Sequence, residues 1–476
     1  MEYEPVIGLE VHLQLSTKTK AFCGCSTEFG NSPNSQTCPV CLGFPGALPA
    51  LNEEAFIRAI KVALALGCEA QKNVKFDRKN YYYPDLPKNF QISQFDKPLA
   101  YNGSVSIISD NAVKKIRIKR VHLEEDAGKL IHETAGESSL VDYNRAGVPL
   151  LEIVTEPDLG SPQEAYDYLA KLKAILEYLD VSTCDMEKGS LRCDANISVR
   201  PKGEKALGVK VELKNMNSFR WVKAALDYEV TRQMESASSG EEIVQETRLW
   251  DVDKAVTTSM RRKEEAHDYR YFPEPDLVPF VVSGSTVEEV RKTLPELPEA
   301  RARRLKERFA ISDYDTNVLI SDKMLADYFE ECAGLYDKPK ILVNWIMGEA
   351  LSQMNTRKVD ITGLGVKAAD LVELIKMIDS GAISGKIAKD VFLEMIDSKR
   401  PPLEIVKAKG MFQISDSGEL EKTVRSVIEK NGKSVDDYRA GKKNAYTYLM
   451  GQVMKETKGK ANPALAGDIL QKLLQK

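Results

Sequence analysis

The chain has 476 residues, of which 43% are hydrophobic and 29% are charged, and its formal net charge is −4. This length allows two to four domains with cores of their own. The small negative charge argues against a wholly basic nucleic-acid-binding protein but permits a local basic patch. No run of about 18 apolar residues occurs, and the first residues lack the pattern of a signal or transit peptide. The sequence therefore predicts a cytoplasmic protein with no membrane segment.

Three segments alternate apolar and polar residues, which is the pattern of half-buried antiparallel strands. They cover residues 6–15, 190–200 and 209–214. An ordinary solvated face carries Thr, Lys, Ser and Gln, but these polar sides also carry carboxylates, an Asn and one of only four histidines. If the strands share one sheet, this face suits metal ions and phosphates. The alternative interpretation is an ordinary charged face exposed to solvent. This interpretation is stronger for any single strand than for the three strands together.

Four of the eight cysteines lie within one short segment, as Cys23, Cys25, Cys38 and Cys41. Two close pairs joined by a loop suit a tetrahedral thiolate site for Zn²⁺. The first pair is one residue shorter than the usual knuckle, and free or redox-active cysteines are the alternative. Because four thiolates leave no open position, we expect a structural zinc rather than a catalytic one. The other four cysteines are scattered, and we interpret them as small core residues.

Helix signals divide the chain into two parts. Asn52 is the predicted N-cap of a helix over 53–66, Ser161 of a helix that begins at 162, and Ser218 of a helix that ends at about 234. Residues 236–240 form a predicted turn. Prolines exclude a helix over 271–280. From residue 288 onward helical patterns dominate and predict helical bundles. They cover residues 323–334, 339–354, 367–379, 385–397, 418–430 and 442–457.

Further polar groups lie between these elements. Residues 76–85 combine basic and aromatic side chains, which suit a phosphate or an adenine ring or form a packing loop. Glu124, Glu125 and Asp126 repel one another unless a cation offsets them, although a solvated acidic turn is the common alternative. Glu152 interrupts an apolar run. We expect it to be paired with a cation or bound to a metal ion, or to lie on the solvent-exposed face of an edge strand. The sequence contains no P-loop and no Rossmann glycine motif.

Seven short segments of the chain, taken in order, resemble the B subunit of the bacterial and organellar aspartyl/glutamyl-tRNA amidotransferase. Residues 449–455, followed by 459–463, are similar to the helical tail domain of that protein, and the cysteine pairs match the zinc-bearing branch of the family. The seven segments are 6–12, 76–81, 91–94, 122–126, 189–196, 212–215 and 268–276.

The resemblance implies a reaction. ATP phosphorylates the side-chain carboxylate of misacylated Glu-tRNA(Gln) or Asp-tRNA(Asn), and ammonia then displaces phosphate to leave an amide. Ammonia reaches the site by a channel from the amidase, or A, subunit, which hydrolyses glutamine, and a small C subunit completes a heterotrimer. Such a step gathers negative charge that Mg²⁺ and cations must offset.

The resemblance also implies roles for individual residues. The implied Mg²⁺ ligands are Glu10, His12, Glu124, Glu125, Glu152 and Asp194. Those expected to act in catalysis are Glu10, His12, Lys79, Glu125 and Asp194. ATP or substrate is expected at Lys79, Tyr81, Arg192, Asn196, Lys214, Asn217 and Arg270.

Residues 431–476 carry nine Lys and Arg against four Asp and Glu, a net charge of +5. This concentration suits tRNA phosphates, with ordinary lysine decoration as the alternative. The expected contacts are Lys442, Lys443, Lys455 and Lys458. We therefore predict an α+β protein with three domains. The first, at 1–292, is a catalytic, cradle-like domain with a mixed, antiparallel sheet, and it contains the zinc-binding insertion at 22–42. A helical domain at 293–405 and a helical tRNA-binding tail domain at 406–476 follow. A free-standing ATP-dependent ligase or phosphotransferase and a zinc-containing RNA-binding scaffold are the alternative functions.

Overall fold

The computed structural model describes residues 2–132, 138–262, 269–413, 417–457 and 460–475. The chain forms two compact units, Met1–Pro298 and Glu299–Lys476. The predicted boundary after residue 292 lies six residues before this division. Within the described ranges, no helix is long and apolar enough to cross a membrane.

Strands are confined to the first unit, as far as the described residues extend. In chain order they are β1 (Tyr3–Gln14), β2 (Glu69–Ala70), β3 (Asn73–Val74), β4 (Asp77–Asn80), β5 (Phe90–Ser93), β6 (Ala100–Ser109), β7 (Ala112–Glu125), β8 (Lys129–His132), β9 (Ser139–Asp142), β10 (Pro149–Thr155), β11 (Leu191–Pro201), β12 (Val211–Lys214), β13 (Glu246–Asp251), β14 (Val256–Arg262), β15 (Phe272–Pro273) and β16 (Phe280–Val281).

Nine strands form the main sheet, in the order β14-β13-β12-β11-β1-β10-β7-β6-β2. All neighbours are antiparallel except β12 and β13, which are parallel. The three strands predicted from alternation are therefore adjacent members of one sheet, β1, β11 and β12, and the predicted α+β class is confirmed. A strand start at residue 209 is wrong. The backbone at Gly208 passes so close to β11 that a Cβ there would lie 2.1 Å from the Val199 carbonyl oxygen, and pairing begins only at Val211.

A bulge between β7 and β10 keeps the two faces of the sheet chemically distinct. Arg120 pairs with Val154, but Ile118 pairs with Thr155, so one residue of β7 is left over. The extra residue changes the parity of the exposed side chains along β7. Before the bulge, Arg120, His122 and Glu124 share the polar face with the even-numbered residues of β1, β10 and β11. Beyond it, the even-numbered Ile118 and Ile116 face the core instead.

Helices cover the apolar face of the sheet, where one hydrophobic core contains residues of β1, β7, β10 and β11 together with helix residues. The helices are α1 (Glu53–Ala65), α2 (Pro162–Tyr178), α3 (Phe219–Ser239) and α4 (Gly284–Lys292). The N-caps Asn52, Ser161 and Ser218 are confirmed by hydrogen bonds from the first turn of each helix. The turn predicted at 236–240 is wrong, because α3 continues to Ser239. It ends only at Gly240, whose φ of 78° is left-handed.

Two small sheets extend the first unit. β15, β4 and β5 form a three-stranded antiparallel sheet. β5 also contacts β7 of the main sheet, which brings the small sheet to the end of β7 that carries Glu124 and Glu125. β3 pairs with β16, and β8 pairs with β9.

The second unit is helical in its described part, and all six predicted helices are confirmed. A π-helical turn at Ile346–Ala350 interrupts the second of them. The helices are α5 (Pro298–Phe309), α6 (Asp313–Ile320), α7 (Lys323–Leu335), α8 (Pro339–Trp345), α9 (Leu351–Arg357), α10 (Ala368–Asp379), α11 (Gly385–Ser398), α12 (Pro402–Lys409), α13 (Ser417–Lys430), α14 (Gly432–Arg439), α15 (Lys443–Glu456) and α16 (Pro463–Leu474). Two separate apolar clusters, from Leu305 to Val406 and from Leu420 to Leu474, form its cores.

Candidate functional site

Two histidines and two glutamates meet on the polar face of the main sheet, and we call them the His–Glu centre. The register places His12 of β1 opposite Glu152 of β10, and Glu152 opposite His122 of β7. Glu152 Oε2 lies 2.9 Å from His122 Nε2 and 3.6 Å from His12 Nε2. Glu124 lies 3.5 Å from His122 and 3.8 Å from His12. The ligand atoms of His12, Glu124 and Glu152 all lie within 4.8 Å of one another, a spacing that suits one metal ion.

Burial makes the charges of this centre mutually dependent. Glu124 and Glu152 are 2% and 6% exposed. Burial by itself lowers the pKa of His122, but Glu152 and Glu124 outweigh it and raise that pKa to about 9. The pKa of His12 is likewise raised, against its burial, chiefly by Glu152. Burial opposes ionisation of Glu152 as well, yet the two histidines hold its pKa well below the usual range. The centre therefore stabilises positive charge at its middle.

Lys79 brings a cation to this centre from the small sheet. Its Nζ lies 5.1 Å from the centroid of the Tyr269 ring. Burial lowers the pKa of Lys79, but the fields of Glu124 and Glu152 outweigh it, so the amine stays charged. This arrangement can hold an anionic group between a lysine and a metal ion.

The other predicted magnesium ligands have different partners. Glu10 accepts a hydrogen bond of 2.8 Å from Asn196, one row further along the sheet. Asp194 pairs with Lys214. Glu125 points away from the His–Glu centre. It pairs with Lys88 and accepts a 2.9 Å hydrogen bond from the backbone N–H of Ile92.

Several predicted substrate residues lie around the centre rather than in it. The Arg192 guanidinium pairs with Asp126 at 2.8 Å. The Tyr81 ring packs edge-on against Tyr269, with centroids 6.0 Å apart. The Arg270 guanidinium lies 5.4 Å from the centroid of the Tyr82 ring. Asn217 is exposed in the loop before α3. Asp268, in the same motif as Arg270, lies outside the described residues.

The sulfur atoms of Cys23, Cys25, Cys38 and Cys41 lie within 4.8 Å of one another. Lys20 is fully buried beside them, with Nζ 3.7 Å from Cys41 Sγ and 3.2 Å from the carbonyl oxygen of Tyr143. A hydrogen bond from Cys23 is the main reason why the pKa of Cys41 falls to about 4. Four convergent soft ligands with a buried cation fit a thiolate-bound metal.

A cavity of about 250 Å³ separates the four-cysteine cluster from Glu125. Lys20, Cys41, Lys88 and Glu125 line it. Glu125 therefore faces the cysteine side of the first unit, whereas its neighbour Glu124 faces the His–Glu centre.

The tail lysines are only partly described. Lys442 pairs with Asp437 at 2.9 Å, and Lys455 is exposed on α15. Lys458 and the side chain of Lys443 lie outside the described part of the chain.

His122 is a member of the site that the sequence did not predict, although it lies two residues before Glu124 and so on the same face of a strand. Lys88 and Lys20 were not predicted either. No periodic signal marks these lysines, because each is positioned by a loop whose path only the folded chain fixes.

Comparison with known proteins identifies the family. Residues 5–288 match the family model described as the GatB/GatE catalytic domain, and residues 327–474 match that of the GatB domain. The aspartyl/glutamyl-tRNA(Asn/Gln) amidotransferase B subunit of Carboxydothermus hydrogenoformans is 56% identical over 100% of this chain and 99% of its own length. The proteins of the same description from Caldanaerobacter subterraneus and Thermoanaerobacter sp. (strain X514) are each 55% identical over the full length of both chains. The resemblance predicted from the seven segments is thus confirmed, and the chain belongs to the family of aspartyl/glutamyl-tRNA(Asn/Gln) amidotransferase B subunits.

Proposed function

We propose that this protein is the B subunit of a glutamine-dependent tRNA amidotransferase. It uses ATP to activate the side-chain carboxylate of Glu-tRNA(Gln), Asp-tRNA(Asn) or both, and ammonia then converts that carboxylate to an amide. The observation that carries this proposal is the buried His–Glu centre beside Lys79, in a chain that matches its relatives over its whole length. The free-standing ligase and the inactive scaffold are not favoured, because those relatives carry the name of an amidotransferase component.

His12, Glu124 and Glu152 are the residues we propose to hold Mg²⁺. An ion there would offset the negative charge of the nucleotide phosphates and of the carboxylate under attack. Lys79 would bind phosphate oxygens with a permanently charged amine. His122 donates to Glu152 and so fixes the carboxylate that faces His12, which is a positioning role.

Glu10 and Asp194 support the same site from further away in this proposal, whereas Glu125 stays with Lys88 on the cysteine side. Asn196 orients Glu10, and Lys214 offsets the charge of Asp194. Removing Glu10 or Asp194 leaves its half-buried polar partner unsatisfied, which distorts the polar face of the sheet at the site.

We propose that the four cysteines bind one structural Zn²⁺. All eight cysteines are free, and four of them converge. A tetrathiolate zinc carries a net charge of −2, and buried Lys20 offsets part of it. Free thiols also fit the cytoplasm, where we place the protein.

The proposed partners are the amidase (A) subunit that supplies ammonia by a channel, the small C subunit, and the misacylated tRNA. The basic tail residues Lys442, Lys443, Lys455 and Lys458 would contact tRNA phosphates. We assign glutamine hydrolysis to the amidase partner for two reasons. We propose that the His–Glu centre holds a metal ion and phosphates, and the sequence lacks the Gly-x-Ser-x-Gly motif of one large class of serine hydrolases.

The test is amide formation by the heterotrimer, reassembled from its A, B and C components, on tRNA charged with Glu or Asp. His12→Ala should abolish ATP- and Mg²⁺-dependent amide formation, whereas glutamine hydrolysis by the amidase should survive in part. Glu54→Gln, on the exposed surface of α1, is the matched control and should keep full activity. Near-normal amide formation by the folded His12→Ala heterotrimer would place the chemistry elsewhere.

A further inference from the structure

The end of β7 that contributes to the His–Glu centre is held in place by β5. β6 pairs with β7 only as far as Val121. Beyond that point, amide side chains join β5 to β7. Gln91 Nε2 donates a 2.7 Å hydrogen bond to the carbonyl oxygen of Glu125. Gln94, directly after β5, accepts a 2.9 Å hydrogen bond from the Leu123 N–H. Both amides are buried, so these bonds fix β5 against the part of β7 that carries the carboxylates.

Ser93, the last residue of β5, contacts the His–Glu centre itself. Its hydroxyl donates a 3.1 Å hydrogen bond to Glu124 Oε2, and Ser93 is only 1% exposed. The same carboxylate oxygen lies 3.5 Å from His122 Nε2. The other oxygen, Oε1, lies 3.8 Å from His12 Nε2. Two groups therefore hold one oxygen of Glu124, and the other is left for a metal ion.

β5 also gives the neighbouring carboxylate a different donor. The backbone N–H of Ile92 donates a 2.9 Å hydrogen bond to Glu125 Oε1, and Lys88 pairs with the same group. One short strand thus supplies a hydroxyl to Glu124 and a backbone N–H to Glu125. The two adjacent glutamates are held apart by contacts from consecutive residues of β5.

Lys79 competes with a metal ion for the carboxylate that Ser93 holds. Lys79 lies two residues from Asp77, the residue that pairs with Ser93, so Lys79 and Ser93 share one face of the small sheet. The negative charge of Glu124 attracts the Lys79 amine. Because the last torsion of a glutamate side chain is soft, the carboxylate can turn toward the lysine once the hydroxyl is removed. The hydroxyl therefore favours the orientation that leaves Oε1 for a cation.

We infer that Ser93 is a positioning residue, which holds Glu124 so that one carboxylate oxygen is presented to the metal ion at the His–Glu centre. The inference rests on the proposed function, which supplies that ion. Outer partners of metal ligands change metal affinity by roughly 10- to 100-fold. Ser93 is an uncharged donor, so its effect is expected near the lower end of that range.

The first measurement is the Mn²⁺ affinity of the purified full-length protein, with Mn²⁺ as the probe for the proposed Mg²⁺ site. Ser93→Ala is compared with Ser109→Ala, because Ser109 also donates a hydrogen bond, of 2.7 Å, to a buried glutamate, Glu164. Both variants lose one bond of the same kind, but only Ser93 contacts a proposed metal ligand. We expect Ser93→Ala to weaken Mn²⁺ binding about tenfold and Ser109→Ala to leave it within about twofold.

A double-mutant cycle separates positioning from a general loosening of the sheet. If the hydroxyl acts through Glu124, Ser93→Ala should change the Mn²⁺ affinity less than about twofold once Glu124→Ala has removed the carboxylate. Effects that multiply, as for independent sites, overturn the inference, and so does an unchanged affinity in Ser93→Ala alone. Wild-type protein that binds no Mn²⁺ overturns the inference together with the proposed metal site.

Amide formation by the reassembled heterotrimer gives a further readout. Ser93→Ala should raise the Mg²⁺ concentration for half-maximal amide formation about tenfold, with the rate at saturating Mg²⁺ within about twofold of wild type. A lower rate that saturating Mg²⁺ does not recover overturns the inference, because weaker metal binding then fails to explain the loss. Mn²⁺ binding is measured without tRNA or ATP. A protein that shows the expected dependence on Ser93, but whose wild-type heterotrimer amidates no charged tRNA, therefore refutes the proposed function alone.

Discussion

Replacing Glu164 with Gln tests how the first unit is held together at the start of α2. The carboxylate accepts hydrogen bonds from Lys114 Nζ at 2.7 Å, from Ser109 Oγ at 2.7 Å and from the Gly160 N–H at 2.6 Å. It is 7% exposed, so water replaces these partners poorly. A hydrogen bond to a charged group contributes about 1.5–3 kcal/mol, and such terms do not add fully. Because Lys114 is 35% exposed and Gln keeps one acceptor, we expect the free energy of unfolding to fall by about 2–3 kcal/mol.

The pH dependence gives the sharper test. Burial raises the pKa of the Glu164 carboxyl, but Lys114 and the Gly160 N–H outweigh it and lower that pKa below 4.5. The advantage of wild type over Glu164→Gln is therefore complete above pH 4.5 and declines as pH falls through the lower folded value. Denaturant unfolding is followed by Trp221 and Trp250 fluorescence in a Trp345→Phe background, with Glu54→Gln as the exposed control. A difference that stays constant from neutral pH to about pH 3.5, or grows there, refutes this reasoning.

Two further predictions concern the metal cluster and the tail. Removing zinc with a chelator should lower the melting temperature of the first unit. Lys20→Met should speed metal release at least several-fold, since it removes the cation beside Cys41. Purified protein that contains no zinc by elemental analysis contradicts both predictions. Changing Lys442 and Lys455 to Gln should lower the slope of log affinity for tRNA against log salt by about 0.7–0.9 for each lost phosphate contact, and superimposable salt series would remove α15 from the tRNA interface.

Much of the fold could be predicted because residue patterns along the chain reflect the packing of the strands and helices that they form. Alternation along 6–15 and 190–200 is imposed by a sheet with one face on a core, and Asn52 and Ser161 cap helices by hydrogen bonds within four residues. The alternation alone predicts that Val209 belongs to a strand. The pattern could not reveal that Gly208 must first pass against β11, because that contact joins a residue of the loop before β12 to a strand that lies earlier in the chain.

The site was predictable in composition but not in arrangement. The polar faces of β1 and β11 marked Glu10, His12 and Asp194 as residues of interest, yet a list of carboxylates does not say which of them converge. Convergence depends on strand order, and β10 and β7 pair beside β1 only through connections that the sequence does not encode locally. The π-helical turn at Ile346–Ala350 is invisible for a similar reason, since its apolar spacing is that of an ordinary helix.

Glu124 and Glu125 provide the most direct test of the arrangement. Adjacent residues of a strand point to opposite faces, so Glu124 reaches His122 at 3.5 Å while Glu125 pairs with Lys88 beside the cysteine cavity. Both are buried glutamates at the end of one strand, which makes each the natural control for the other. Using Mn²⁺ as the probe in the purified protein, we expect Glu124→Gln to weaken metal binding at least tenfold and Glu125→Gln to leave it within about twofold. If Glu125→Gln weakens Mn²⁺ binding as much as Glu124→Gln does, then Glu125 leaves Lys88 to join the metal, and the separation of the two carboxylates by the strand is not what defines the site.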